Sequence, residues 1–353
     1  MSNLNPIKLT QYTSGGGCGC KIAPSVLEEI LSNSKKQLPS KNLIIGNTNN
    51  DDAAVYDLEN GQAIISTTDF FMPIVNNPYD FGRIAAANAI SDVYAMGGRP
   101  IMALAILGWP LEKLSTEIAQ QVLEGAHAVC KEVGIVIAGG HSINSAEPIF
   151  GLSVNGLVAI EHIKQNNGAR IGDYLFITKA LGVGVLATAL KKDLLNEDDE
   201  QLLVQQLSTI NSLGEILGSK SFVTSMTDIT GFGLLGHVIE MAKGSSLSVE
   251  LFYNKIPILK NVKEFIKNRI VPDGTYRNWN SYSSQVEFEN GVDVMEAFNI
   301  LPDPQTNGGL LFSVSENEID KIITLLKENN LDEFINPIGR FVEKFDKTIR
   351  VLN

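Results

Sequence analysis

Between residues 50 and 158 the chain alternates short apolar runs with longer segments of helical period. That alternation restricts it to layered mixtures of helix and sheet. Residues 63–67 predict a strand ending at Thr68 and Asp69. Asp80 is placed to cap a helix that runs to Met96, where Gly97, Gly98 and Pro100 stop it. Residues 101–107 read as a buried strand and 111–133 as a long amphipathic helix with Gly134 at its C-terminal end. Residues 135–138 and 149–159 read as two further strands.

Residues 161–173 (EHIKQNNGARIGD) are polar and carry Gly and Asn, which makes them the best domain boundary in the chain. A second rhythm follows: a strand at 174–178 before a helix from about Gly184, and a strand at 222–226 before a helix at 234–242. A strand at 310–314, a helix at 319–327 and a final strand at 348–352 complete it. At roughly 150 residues per domain, 353 residues suit about two domains. The expected division is an N-terminal Cys-bearing segment and helix over 1–48, a first domain over 49–160 and a second α/β domain over 170–353.

Composition narrows the function. A net charge of −12 with no dense Lys/Arg run leaves no basic stripe for nucleic acid. No apolar run approaches the roughly 20 residues that span a bilayer, so no membrane partner is expected. The first residues, MSNLNPIKLTQY, are too polar for a signal peptide, and the three cysteines, Cys18, Cys20 and Cys130, are an odd count. Both features predict a reducing cytoplasmic setting with free thiols.

Two of those cysteines stand in Ser14-Gly15-Gly16-Gly17-Cys18-Gly19-Cys20-Lys21. Glycine has the largest backbone entropy to lose, so this run predicts a flexible loop, followed by a helix from about Ala23. A thiolate is favoured by a neighbouring cation, and Lys21 is within reach of both thiols. A mobile loop of this kind can close over a substrate. The same residues are also compatible with half a zinc site or with an inert tail. Cys130, within an amphipathic helix, reads as a small buried hydrophobe.

Aspartates form a second pattern. Asp51 and Asp52 occupy a polar turn, Asn49-Asn50-Asp51-Asp52, that enters an apolar strand. Asp69 ends a strand, Asp92 shares a helix face with Asn88 and Met96, and Asp228 follows the strand at 222–226. Each alone could be a cap. Together they are costly, because two carboxylates about 4 Å apart repel by roughly 4 kcal/mol at an effective dielectric near 20. Such a cluster calls for cations, and hard oxygen ligands near phosphate suit Mg²⁺.

No G-x-x-x-x-G-K-[ST] run is present. Gly182-Val183-Gly184-Val185-Leu186-Ala187 and Gly231-Phe232-Gly233-Leu234-Leu235-Gly236 resemble dinucleotide-binding turns. Neither has an acidic strand end at the distance that fold requires, and both read better as helix starts packed closely on a sheet. Gly139-Gly140-His141-Ser142, after the strand at 135–138, is the better candidate for backbone contact with phosphate. His141 could equally be a satisfied loop histidine.

Taken in order, Gly17-Cys18-Gly19-Cys20-Lys21, Asn50-Asp51-Asp52-Ala53-Ala54-Val55, Ser91-Asp92-Val93-Tyr94-Ala95-Met96-Gly97-Gly98, Ala138-Gly139-Gly140-His141-Ser142, Thr227-Asp228-Ile229-Thr230-Gly231-Phe232-Gly233 and Asp303-Pro304-Gln305-Thr306 resemble the selenophosphate synthetase (selenide, water dikinase) family. That family belongs to the aminoimidazole-ribonucleotide-synthetase-like superfamily, whose other members lack the Gly-Cys-Gly-Cys-Lys loop. The resemblance implies a two-domain α/β fold, with homodimers formed through the N-domain strands. It implies that ATP, selenide and water become selenophosphate, AMP and orthophosphate with Mg²⁺, and with K⁺ as a further cation. Cys18 would be the essential thiol and Lys21 the catalytic lysine near the phosphates. Asp52, Asp92 and Asp228 would hold Mg²⁺. Lys21, Asn49, Asn50, Asp51, Asp69 and Asp92 would contact nucleotide, with Gly140, His141 and Ser142 from the partner subunit. Asn307 stands where the family more often has Ser. The rival readings are a related small-metabolite kinase that does not need Cys18, and a thiol-based selenium or metal carrier.

Overall fold

The computed structural model describes residues 7–22, 26, 29–30, 40–46 and 51–353. Asn49, Asn50 and most of the helix expected from Ala23 lie outside the described residues.

The first half is built on a sheet of six strands among the described residues, in the order β1-β2-β3-β6-β4-β5. These are β1 (Leu43–Ile45), β2 (Ala54–Asp57), β3 (Gln62–Phe71), β4 (Arg99–Trp109), β5 (Ile137–Asn144) and β6 (Ile149–Ala159). Two helices whose full extent lies among the described residues, α1 (Pro78–Ala95) and α2 (Thr116–Glu132), accompany this sheet. β4 and β5 are parallel and joined through α2, while β6 is antiparallel to both β3 and β4.

Helix α1 is the element that positions the site. Its Ala- and Ile-rich sequence buries almost the whole helix. Its cap is Asn77, whose side chain accepts from the Asp80 amide at 3.1 Å; Asp80, expected as the cap, lies in the first turn instead. Pro78 at the first helical position needs no amide partner, which places the start one turn earlier than Asp80 suggests. Strand β3 is also longer than its apolar core predicts. It pairs with β6 from Gln62 to Phe71, so Asp69 lies inside the ladder and not at its end. The helix expected over 111–133 begins at Thr116, because the chain first turns through Pro110–Leu114.

The second half carries β7 (Tyr174–Ile177), β8 (Val223–Asp228), β9 (Ser248–Phe252), β10 (Val286–Phe288), β11 (Leu310–Val314), β12 (Gly339–Val342) and β13 (Ile349–Leu352). They pair in the order β10-β13-β9-β12-β7-β11-β8. Around them lie α3 (Val183–Lys191), α4 (Glu197–Ser208), α5 (Leu213–Gly218), α6 (Gly233–Gly244), α7 (Val262–Lys267), α8 (Asp273–Tyr282), α9 (Val294–Ile300) and α10 (Ile319–Glu328). Every residue of β11 is buried, as a strand covered on both faces should be.

The polar segment between the halves is not a slack tether. Lys164 is buried and its Nζ donates to the carbonyls of Lys220 and Val223 at 2.9 and 2.8 Å, and the Asn166 amide donates to Asp51 at 3.0 Å. One hydrophobic cluster includes residues from both halves, from Val55 and Ile90 to Leu186 and Leu203. In a separate cluster Ala95 of α1 joins Val223 and Met226 of β8, which holds α1 and β8 against each other.

The glycine-rich N-terminus departs from expectation. Residues Leu9–Tyr12 and Gly17–Cys20 form two 3₁₀ turns, with Leu9 and Cys18 buried. Hydrogen-bond partners elsewhere in the chain offset the entropy cost that glycine imposes. The Gly17 amide donates to the Met72 carbonyl at 2.9 Å, the Lys191 ammonium to the Thr13 carbonyl at 2.9 Å and the Arg277 guanidinium to the Gly19 carbonyl at 2.8 Å. Gly17 has φ +57°, and a Cβ there would lie 2.4 Å from Thr306 Oγ1, so glycine is required both for the turn and for the fit.

Candidate active site

Three carboxylates converge where the two halves meet. Asp52 precedes β2, Asp92 lies in the last turns of α1, and Asp228 ends β8; each offers an oxygen within 4.8 Å of the others. Sequence separation hides this, since Asp228 comes from the second half. Each carboxylate accepts a hydroxyl proton from a different element: Asp92 from Thr67 on β3, Asp228 from Ser91 on α1, and Asp52 from Thr227 on β8 at 2.8 Å.

These contacts do not neutralise the cluster. Burial pushes the Asp52, Asp92 and Asp228 carboxyls above the ordinary range. Mutual repulsion adds to this, from Asp228 on Asp52 and from Asp69 and Asp228 on Asp92. Asp52 Oδ2 is buried without a hydrogen-bond partner. An orphaned anionic oxygen facing two other buried carboxylates fits a hard divalent cation, which would satisfy the lone pair and remove the repulsion together. Asp51 is also raised, chiefly by burial, although the Asn166 amide donates to it.

A second chain of contacts leads from Asp69 to the thiol. Lys21 Nζ lies 3.8 Å from Asp69 Oδ1, with 39% of the lysine side chain exposed. Burial works against the Lys21 charge, but Asp69, Cys18, Asp92 and Asp228 together outweigh it and raise its pKa. Asn88 Nδ2 donates to Asp69 Oδ2 at 2.6 Å. Asn88 Oδ1 accepts from the Cys18 thiol at 3.3 Å and from the Asn307 amide at 2.7 Å. Cys18 has 2% of its surface exposed, and burial pushes its thiol up against the opposing pull of Lys21. Burial and donation to Asn88 both favour the protonated thiol in this arrangement.

Asn88 is recognisable in the sequence as a polar neighbour of Asp92, whereas Thr67, Ser91 and Thr227 carry no assigned role there. A signal for two of them was present: Asn88, Ser91 and Asp92 stand at i, i+3 and i+4, so three polar residues share one face of an Ala-rich helix. Thr67, Thr227 and Lys179 had no such signal. Lys179 is buried, donates to the carbonyls of Thr209 and Asn307 at 2.7 and 2.8 Å, and is lowered by burial to about 7.

Asn307 adopts φ +45°, a conformation that Asn tolerates better than most side chains. Its Nδ2 donates to the carbonyls of Leu207 and Thr209 at 2.6 and 2.9 Å. The departure from Ser therefore has a structural use in this chain.

Gly140, His141 and Ser142 are not in a loop after a strand. They lie within β5, the exposed edge strand, paired with Ala105, Ile106 and Leu107 of β4 and three strand positions from β3. The parallel ladder with β4 extends the strand through the glycines, which local propensity does not predict. Within one chain they stand apart from the carboxylates. The two glycine-rich helix starts are explained by close packing. A Cβ at Gly184 would lie 2.5 Å from Asp303 Oδ1, and one at Gly231 would lie 2.5 Å from the Cys18 carbonyl oxygen.

Two cavities of similar size flank this region. One, of about 810 Å³ between α1 and α4, includes none of the residues named as candidates. The other, of about 820 Å³, lies against the Cys18 turn and includes Lys21.

Residues 50–158 match the model for the N-terminal domain of AIR synthase related proteins, and residues 170–352 the model for their C-terminal domain. A selenide, water dikinase from Photorhabdus laumondii is 49% identical over 338 residues, 96% of each chain. One from Escherichia coli O139:H28 is 53% identical over 338 residues, again 96% of each. The solved structure of AaThiL complexed with AMPPCP and TMP superposes with a TM-score of 0.66 at 21% identity, covering 92% of both chains, and shares the fold.

Proposed function

Because the chain belongs to the AIR-synthase-related family and, within it, to the selenide, water dikinases, we propose that it makes selenophosphate from selenide and ATP at the junction of Asp52, Asp92, Asp228, Lys21 and Cys18. It is an ATP-dependent phosphotransferase. The observation that carries the assignment of the site is the convergence of two buried carboxylates, Asp92 and Asp228, and the half-buried Asp52 beside a lysine and a thiol.

Asp52, Asp92 and Asp228 would hold Mg²⁺, which supplies charge neutralisation for the phosphates of ATP. Lys21, fixed by Asp69, is placed to meet phosphate charge that develops during transfer. Asn88 orients both the Asp69 carboxylate and the Cys18 thiol, and so keeps the lysine and the thiol in register. Cys18 would handle selenium, and the turn around it excludes water from the junction. Asn49, Asn50 and Asp51 would contact nucleotide. K⁺ would serve as an additional cation.

The working unit is proposed as a homodimer of chains divided at 49–160 and 170–353. Exposed apolar side chains on the first sheet, Tyr56, Phe70, Met102 and Leu104, support it. In that arrangement the exposed strand β5 would offer Gly140, His141 and Ser142 of one copy to the nucleotide of the other. No helix among the described residues is long and apolar enough to cross a membrane. With the free thiols of Cys18 and Cys130, this is in keeping with a proposed cytoplasmic setting.

Phosphorus NMR of the purified protein with ATP, Mg²⁺ and selenide tests the reading. Selenophosphate, AMP and orthophosphate are the expected products, absent when selenide is left out. Formation of ADP without selenophosphate would replace it with a related kinase activity.

A further inference from the structure

The cavity of about 820 Å³ on the outer side of the Cys18 turn is lined by four cationic side chains, Lys21, Lys191, Lys192 and Arg277, against one carboxylate, Asp273. The protein as a whole carries a net charge of −12. A cationic recess on such a surface focuses the local field and draws small anions to one place. The recess does not end blindly. A space of about 10 Å³ shares Gly19, Lys21, Gly274 and Arg277 with it and is also lined by Cys18, which does not line the recess itself. That volume holds about one water-sized species. Asp52, Asp92 and Asp228 line neither space, so an anion arriving this way does not cross the carboxylates. The Arg277 guanidinium stands at the neck, where it donates to the carbonyl of Gly19, the residue next to Cys18.

Resting on the selenophosphate reading and deepening it, we propose that this recess is the entrance and docking site for the hydrogen selenide anion, and that Arg277 is the specificity residue that admits it to Cys18. Hydrogen selenide is a monoanion of one heavy atom at neutral pH, which matches both the charge of the recess and the narrowness of the neck. A nucleotide is far too large to pass. The two substrates therefore reach the junction from different sides.

Steady-state kinetics at low ionic strength tests this. Arg277→Gln should raise KM for hydrogen selenide about tenfold, the loss expected for one charge-assisted contact, and change KM for ATP by less than about twofold. Arg277→Lys should recover most of the loss. A second measurement does not depend on turnover. In a Cys20→Ser, Cys130→Ala background, a methanethiosulfonate is too large for the neck and meets Cys18 only when the turn lifts towards the recess, so the anionic sulfonatoethyl reagent, concentrated there, should outpace its cationic trimethylammonium counterpart about tenfold. The ratio should fall towards one in Arg277→Gln/Lys192→Gln and in high salt. An unchanged selenide KM with an unchanged labelling ratio overturns the proposal. So does an equal rise in both KM values, which would make Arg277 only a prop for the turn. A wild-type protein that forms no selenophosphate would sink the family-based reading instead, and the labelling ratio would still decide the recess.

Discussion

Thr306 Oγ1 accepts the Cys18 amide proton at 2.8 Å, joining two buried residues that lie 288 positions apart in the chain. The turn Asp303-Pro304-Gln305-Thr306 is thus the seat on which the cysteine turn rests, and it belongs to the second half of the protein. Thr306→Val keeps the shape and leaves a buried amide without an acceptor, at a cost of about 1–3 kcal/mol. If that cost falls on the closed turn, selenide-dependent turnover drops about 10- to 100-fold while nucleotide binding persists. Thr306→Ser should restore it. Full turnover by the Val variant would show that the seat does not matter to the reaction.

Lys21 carries its charge into a junction of acids. Lys21→Met removes the cation, and turnover should fall about 100- to 1,000-fold, the range seen when one preorganised donor is lost from an active site. Calorimetric titration with a non-hydrolysable ATP analogue should show a much smaller change. A comparable loss in both would assign Lys21 to nucleotide binding alone.

The three carboxylates predict a metal-linked stability. Mg²⁺ that binds the folded chain at about 100 times its Kd adds roughly 2.7 kcal/mol. Thermal unfolding should therefore shift upward with Mg²⁺ and reverse with EDTA. Asp228→Asn and Asp92→Asn should lose most of that response. They should also be more stable than the parent without metal, because one repelling charge is gone. Variants that keep the full Mg²⁺ shift would place the ion elsewhere.

Asp303 gives a pH dependence with a definite sign. It is fully buried, and burial raises its carboxyl to about 7, opposed by donation from Gln305 and from the Gly184 amide. A raised folded-state pKa means that the folded chain keeps a proton the unfolded chain has already lost. Its stabilising effect is full below about 4, declines as pH rises, and is gone above about 7. The span corresponds to about 4 kcal/mol. Urea unfolding at pH 4.5 and pH 7.5 should show that decline, and Asp303→Asn should make it shallower, the remainder coming from the raised carboxyls of Asp52, Asp92 and Asp228. An equal slope in both proteins would mean that Asp303 is ionised throughout.

Much of this protein is written locally. The strand at 310–314, the helix beginning at Ile319 and the helix start near Gly184 follow from side-chain period and glycine placement, and the carboxylates stand out because acids are expensive in apolar surroundings. The residues of α1 even announce a polar face. What local pattern could not decide depends on partners distant in sequence. Gly139 to Ser142 became strand because β4 supplied a parallel ladder, and the glycine-rich N-terminus became ordered because Met72, Lys191, Arg277 and Thr306 supplied its missing hydrogen bonds. Asp228 joined Asp52 and Asp92 only through the packing of β8 against α1. Residue types and their period are properties of neighbours along the chain. Burial, repulsion and the completion of hydrogen bonds are properties of neighbours in space, and folding alone brings those together.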